Sequence, residues 1–279
     1  MRIIDLKEVT KKVEEALINV CIDLPCDVEK RIRMAKKEEA SPLACSVLDQ
    51  IIENIEIARN KRMPLCQDTG MVVCFVEIGN QVHFEGDLEN AINQGVRNAY
   101  LNGYLRKSVV KHPFERINTL DNTPAIIHTK IVVGDRLVIR LAPKGAGSEN
   151  MSATTMLTPA DGYEGVKKFV IDTVKKAGGK PCPPIIVGVG IGGNLEKSAL
   201  LAKEALLEEI DTINSDEILR KLEEELMLEI NQLGIGPMGI GGTKTCLAVK
   251  TKVYPCHMAS LPVAVNIQCH CSRHTKIEI

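Results

Sequence analysis

Ten cysteines stand in the chain, at positions 21, 26, 45, 66, 74, 182, 246, 256, 269 and 271. Thiolates hold soft metals and iron–sulfur groups, so the neighbourhood of each cysteine sets what chemistry is open to it. No C-x-x-C occurs, which argues against thioredoxin chemistry, zinc ribbons and ferredoxin-type runs. Cys66 lies in Pro64-Leu-Cys-Gln-Asp-Thr-Gly70, and a packing thiol rarely has Gln, Asp and Thr as followers. Cys182 lies in Gly178-Gly-Lys-Pro-Cys-Pro-Pro184, between prolines that fix the backbone and remove donors. Cys269 and Cys271 flank His270 in Gln268-Cys-His-Cys-Ser-Arg-His274, and at least one of the pair is a ligand candidate. Cys21, Cys26, Cys45, Cys74, Cys246 and Cys256 read as small apolar fillers. Well-separated loop thiols suggest a metal site with three protein ligands and one open position, where a Lewis acid can meet an oxygen ligand. A structural zinc held by Cys269, His270, Cys271 and His274 is the competing reading, although C-x-C with flanking His matches no standard finger.

Two glycine-rich stretches invite a phosphate or carboxylate. Gly188-Val-Gly-Ile-Gly-Gly193 follows an apolar run and formally matches the dinucleotide fingerprint. A nucleotide fold then needs a second strand ending in an acid, and Glu208-Glu209-Ile-Asp211 leads into Ser215 and a helix instead. Lys144-Gly-Ala-Gly-Ser-Glu-Asn150 fails the P-loop pattern, because Lys precedes the glycines. It reads equally as an anion-binding loop or a plain turn. Arg116, in Glu115-Arg-Ile-Asn-Thr119, is a lone Arg before a turn whose plain reading is a solvated surface residue, and His257, in Pro255-Cys-His-Met-Ala-Ser260, is an acid/base group or a core histidine.

Something must position these loops. Residues 7–60 carry three helical stretches, the third from Pro42 to Arg59. Met71 to Val76 is a continuous apolar run, which suits a strand buried on both faces. Asp87 caps a helix through Tyr100, and 124–142 reads as two strands around a Gly134-Asp135 hairpin turn. Further on come a helix from Tyr163 to Lys176, a strand over 184–189, a helix capped by Asn194, another capped by Ser215, and strands over 246–254 and 261–268. No linker, internal repeat or low-complexity tract breaks the chain. We expect one α/β domain over 1–279: a mainly helical portion, 1–62, packed on a mixed β-sheet core, 63–279, with Gly/Pro-rich active-site loops.

Composition narrows the classes. At 279 residues, 44% hydrophobic and 25% charged, the chain can bury a substantial core. A net charge of −1 and 3% aromatics disfavour a nucleic-acid groove or base-stacking platform. The charged start and the lack of any long apolar run give no sign of a signal peptide or membrane span, so we expect a cytoplasmic protein with reduced thiols.

Six ordered stretches together resemble the iron–sulfur-dependent class I fumarase and tartrate dehydratase family, in its separate alpha subunit. They are Pro64–Gly70, Lys144–Asn150, Gly179–Pro184, Gly188–Gly193, Gly234–Gly242 and His257–Val263 leading to Cys269. The resemblance implies a [4Fe–4S] cluster held by Cys66, Cys182 and Cys269, with one iron left for substrate. Cys269 is preferred to Cys271 because it stands 12 residues after His257, as in the family. The implied reaction adds water reversibly across the double bond of a dicarboxylate. Gln67, Asp68, Arg116, Gly147 and Asn150 would bind substrate. Asp68 would also orient or deprotonate the base, and His257 would reach the substrate region across a subunit interface. The family's base resembles a threonine on a beta portion, so the resemblance implies a beta subunit, a dimer of alpha–beta pairs, and no activity for this chain alone. The Ser148-Glu149-Asn150 stretch favours fumarase over tartrate dehydratase by the same resemblance.

Overall fold

Asp5 starts the first long helix, its carboxylate accepting the Lys7 N–H at 2.9 Å. In the computed structural model, which describes residues 1–279, backbone contacts divide the chain into two compact units. The first unit comprises 1–25, 55–146 and 273–279, and the second 26–54 and 147–272. The mainly helical stretch 1–62 is therefore shared: α1 (Leu6–Ile22) belongs to the first unit, α2 (Cys26–Glu38) to the second, and α3 (Pro42–Lys61) contributes residues to both.

In the first unit α1 buries Val9, Val13, Leu17 and Val20, a stripe at helical spacing, beside α4 (Leu88–Asn102). Asp87 caps α4 by accepting the Asn90 N–H at 3.0 Å. Two short strands, β1 (Arg2–Ile4) and β3 (Val82–Phe84), pair in parallel. The main sheet of this unit is mixed. Its centre is β2 (Met71–Gly79), buried over 72–76 as the apolar run predicts. On one side β2 pairs in parallel with β4 (Ile126–Val132), and on the other it pairs antiparallel with β5 (Leu137–Lys144), which carries β10 (Thr275–Glu278) at its outer edge. The hairpin expected around Gly134-Asp135 does not form. The turn is there, but β2 sits between the two strands it joins, because both edges of this apolar strand need ladder partners.

The second unit holds a mixed sheet in the order β6 (Ala153–Leu157), β9 (Leu261–Gln268), β7 (Ile185–Gly192), β8 (Cys246–Tyr254). Alternation along β7 sorts its neighbours. Ile185, Val187 and Val189 join a core with α6 (Gly162–Ala177) and α8 (Glu217–Gln232). Gly188 and Gly190 face the other way, against α7 (Leu195–Ala205). A Cβ on Gly190 would stand 2.0 Å from the Ser198 carbonyl oxygen, and one on Gly188 2.2 Å from that of Ala202. These glycines therefore let a helix lie on a strand, which accounts for the fingerprint-like spacing without a nucleotide. Asn194 caps α7 as expected, while the cap of α8 is Asp216, one residue beyond Ser215, accepting from Ile218 and Leu219. The Lys144–Asn150 stretch contains a single helical turn, α5 (Ala146–Glu149). No helix is long and apolar enough to cross a membrane.

Candidate functional site

Gly70 fixes the loop that carries Cys66, Gln67 and Asp68. Its φ is +75°, and a Cβ there would lie 2.6 Å from the Lys144 carbonyl, so the loop can approach β5 only with glycine. Asp68 ties this crossing together. Its Oδ1 accepts the Gly70 N–H at 3.0 Å and its Oδ2 accepts the Ala146 N–H at 2.9 Å. The Asp68 carbonyl in turn accepts Arg273, a guanidinium only 2% exposed, at 2.8 Å. Beneath the loop the fully buried Tyr100 places its hydroxyl 2.6 Å from the Thr69 carbonyl and 2.9 Å from that of Gly70. Burial pushes the Tyr100 phenol up, so it remains a protonated donor. Cys66 and Asp68 are half-buried, and Gln67 is exposed.

Arg116 belongs to the same unit, on the excursion between α4 and β4. It is exposed, has φ +60°, and closes a turn by donating its N–H to the His112 carbonyl at 2.9 Å. The excursion is pinned at its base. Asn122 is fully buried and Asp121 stands beside it, with Oδ2 accepting Arg97 at 3.0 Å and Oδ1 accepting the Thr123 N–H at 3.0 Å. Burial works to raise the Asp121 carboxyl, but the Thr123 N–H, the Arg97 guanidinium and the Thr123 hydroxyl outweigh it and hold it at about 2.

Gly147, Asn150, Cys182, His257 and Cys269 lie in the second unit. Cys182 is half-buried with φ +55°, its N–H donating to the Gly179 carbonyl at 3.1 Å. The glycine loop 234–242 packs against this turn, with the Met238 N–H donating to the Pro183 carbonyl at 2.7 Å. Residue 270 brings the next cysteine pair to it: the His270 Nδ1 lies 2.9 Å from the Cys182 carbonyl. Cys182 and the half-buried Cys269 thus belong to loops that meet, while Cys271 is only 6% exposed. Gly147 and Asn150 are exposed, and Gly147 stands beside the Lys180 carbonyl. Asn150 lines a cavity of about 300 Å³ together with Lys176 and Lys180. His257 is exposed on the turn between β8 and β9 and is not a core histidine. Its Nδ1 accepts the Ala259 N–H at 3.1 Å, so the neutral ring carries its proton on Nε2 and presents a donor to solvent.

The cysteines sort by environment. Cys21, Cys74 and Cys246 are buried, and burial raises the last two thiols to about 12, so they stay protonated and inert. Cys26 and Cys256 are exposed, against the filler reading, because each sits at the end of an element rather than inside one. Cys66, Cys182 and Cys269 are in no disulfide, half-buried and on loops, and thiols in such surroundings have the chemistry that suits an iron–sulfur cluster. No three His, Cys, Asp or Glu side chains gather closely enough to hold one metal ion. That weakens the zinc reading, whose four donors must reach a single ion. Sequence reasoning passed over Tyr100, Asn122 and Arg273. Their roles arise from contacts to distant backbone, and only the turn-forming Asp121-Asn122 pair left a local signal.

The family described as fumarate hydratase (Fumerase) matches residues 10–278. A Methanocaldococcus jannaschii protein named "Putative L(+)-tartrate dehydratase subunit alpha" is 43% identical over 273 residues, 95% of each chain. The L(+)-tartrate dehydratase subunit alpha of Escherichia coli K12 is 30% identical over 275 residues, covering 96% of this chain and 90% of its own. That of Escherichia coli UTI89 is 29% identical over 281 residues, covering 98% and 92%. With the match running almost from end to end, the chain belongs to the fumarate hydratase family of hydro-lyases.

Proposed function

We propose that this chain is the alpha subunit of an iron–sulfur hydro-lyase that reversibly hydrates fumarate to malate together with a separate beta subunit. The observation that carries the reading is the sorting of thiols: Cys66, Cys182 and Cys269 are half-buried on loops and in no disulfide, while Cys271 is buried. The relatives named subunit alpha support a companion chain. Cys66, Cys182 and Cys269 would hold a [4Fe–4S] cluster, which when bound supplies a Lewis acid for a substrate carboxylate and hydroxyl.

The chain's own residues do the rest. Arg116 offers a bidentate fork to a carboxylate, and no ion pair within the chain competes for it. Gln67 and Asn150, both exposed, add amide donors, and Gly147 adds its backbone. Asp68 is held in one orientation by two backbone N–H groups and keeps lone pairs to orient or accept a proton from the base. That base is supplied by the beta subunit. His257, with its proton on Nε2, donates toward substrate from the neighbouring pair of a dimer of alpha–beta pairs.

A second reading, dehydration of tartrate, is favoured by the names of the relatives. Both reactions remove or add water on a four-carbon diacid, so one experiment separates them. The chain is co-expressed with its companion, loaded anaerobically, and assayed on fumarate, malate and tartrate. Turnover of fumarate and malate with little on tartrate supports the first reading; the reverse supports the second. Cys66→Ser, Cys182→Ser and Cys269→Ser are expected to abolish cluster binding and turnover, and Cys271→Ser to spare both. Iron and sulfide bound undiminished in the first three would end the cluster proposal.

A further inference from the structure

The carbonyl of Gly70 receives the Asn122 Nδ2 at 3.1 Å, across 52 residues of chain. The same side chain turns its Oδ1 to the other loop, accepting the Ser108 N–H at 2.7 Å and the Val109 N–H at 3.3 Å. Asn122 is 0% exposed and has φ +61°, a conformation that asparagine tolerates better than most residues. One side-chain amide therefore staples the loop of Cys66, Gln67 and Asp68 to the start of the excursion that presents Arg116. A second bond runs alongside it, from the Thr69 hydroxyl to the Arg106 carbonyl at 2.9 Å, and Thr69 is 1% exposed. The excursion is also held at its base by the Asp121–Arg97 pair and within itself by the Asn118 Nδ2, which donates to the Lys107 carbonyl at 2.9 Å. Its tip carries one isolated bridge, Val110 to Asn118, and Tyr104, Phe114 and Leu120 are each more than three-quarters exposed.

We infer that Asn122 is a positioning residue, which sets Arg116 relative to Asp68 and Gln67 and so determines how tightly the diacid carboxylate is held. This rests on the function proposed above. The amide is suited to the task because it donates on one side and accepts on the other. A carboxylate in its place keeps the bonds to Ser108 and Val109 but faces the Gly70 carbonyl with no proton, so it breaks the staple on one side only.

The test uses the loaded alpha–beta complex. Asn122→Asp is expected to raise KM for the diacid about tenfold with kcat within about twofold, the loss of one buried hydrogen bond to a site that binds before it reacts. Combined with Arg116→Lys, it is expected to raise KM no further than Arg116→Lys does, since both act through one guanidinium. Effects on KM that multiply, or a KM left unchanged, would overturn the inference. Limited trypsin digestion at Lys111 and Arg116 reads the staple without any turnover, and is expected to run about fivefold faster in the variant; an unchanged rate counts against it. Should Asn122→Asp not accumulate folded, Thr69→Val removes the parallel bond at nearly constant volume and is expected to change KM and cleavage in the same direction. If the unsubstituted complex turns over neither diacid, the functional reading fails, while the digestion still reports whether Asn122 holds the excursion.

Discussion

The carbonyl oxygen of Cys182 accepts twice from one residue, lying 2.9 Å from the His270 Nδ1 and 3.4 Å from the His270 amide. The ring bond fixes the tautomer, because Nδ1 must carry the proton to donate to a carbonyl. It also sets the Cys182 turn against the segment that holds Cys269. Partners of this kind typically change metal affinity by about 10- to 100-fold when removed. His270→Ala is accordingly expected to bind the cluster at first and then lose iron about tenfold faster in air, followed by the decay of visible absorbance. A decay equal to that of the unsubstituted protein would show that the two loops hold each other without the imidazole.

The glycines of β7 give a prediction about stability. A Cβ on Gly190 would stand 2.0 Å from the Ser198 carbonyl oxygen, and this atom is helix backbone that cannot swing aside. Gly190→Ala should therefore push α7 off β7 and lower stability by about 3 kcal/mol, read as a fall in the urea midpoint. A binding measurement on the unsubstituted chain separates the two explanations of the glycine pattern. A nucleotide site would show saturable NAD binding in the unsubstituted chain, and none is expected.

These glycines also mark what was legible in the sequence. Strands β8 and β9 fall where the apolar runs place them, and Asp87 and Asn194 cap the helices they were expected to cap. Local chemistry decides such features, so a single sequence carries them. The separation of β4 and β5 by β2 is not legible locally, because a turn signal says that a chain reverses, not which strand will receive the returning one. Cys66 and Cys182 stood out by their polar and proline-rich neighbours. Asn122 and Arg273 did not, since each acts on a carbonyl far along the chain, Gly70 and Asp68 respectively, and nothing near them in sequence reports that encounter.

Asp121 links the Arg116 excursion to pH. Its folded value, about 2, lies below that of an unfolded aspartate, so its contribution to stability is fully present above about pH 4 and disappears as the pH falls toward 2. The magnitude is about 2 kcal/mol for a side chain that is 27% exposed. Asp121→Asn is expected to be less stable than the unsubstituted protein at pH 7 by roughly that amount, with the gap closing between pH 4 and pH 2 in urea titrations. A gap that is constant over that range would assign the difference to packing and not to the ionised carboxylate bound by Arg97 and Thr123.

Asp68 offers the sharpest division between anchoring and proton chemistry. Both of its oxygens already accept backbone N–H groups, one from Gly70 and one from Ala146, and this alone would justify an aspartate at the crossing. An asparagine can accept only one of the two bonds, and its amide nitrogen would face the other N–H. Asp68→Asn should therefore lower the melting temperature slightly whatever the chemistry. If Asp68 also serves the base, kcat should fall by about 10²-fold or more with the cluster still bound, and the acid limb of the kcat profile should change shape. If it is an anchor alone, KM should rise with the disturbed loop while the pH profile keeps its form. Retention of most turnover with an unaltered profile would remove Asp68 from the proton path and leave it as the clasp between the Cys66 loop and α5.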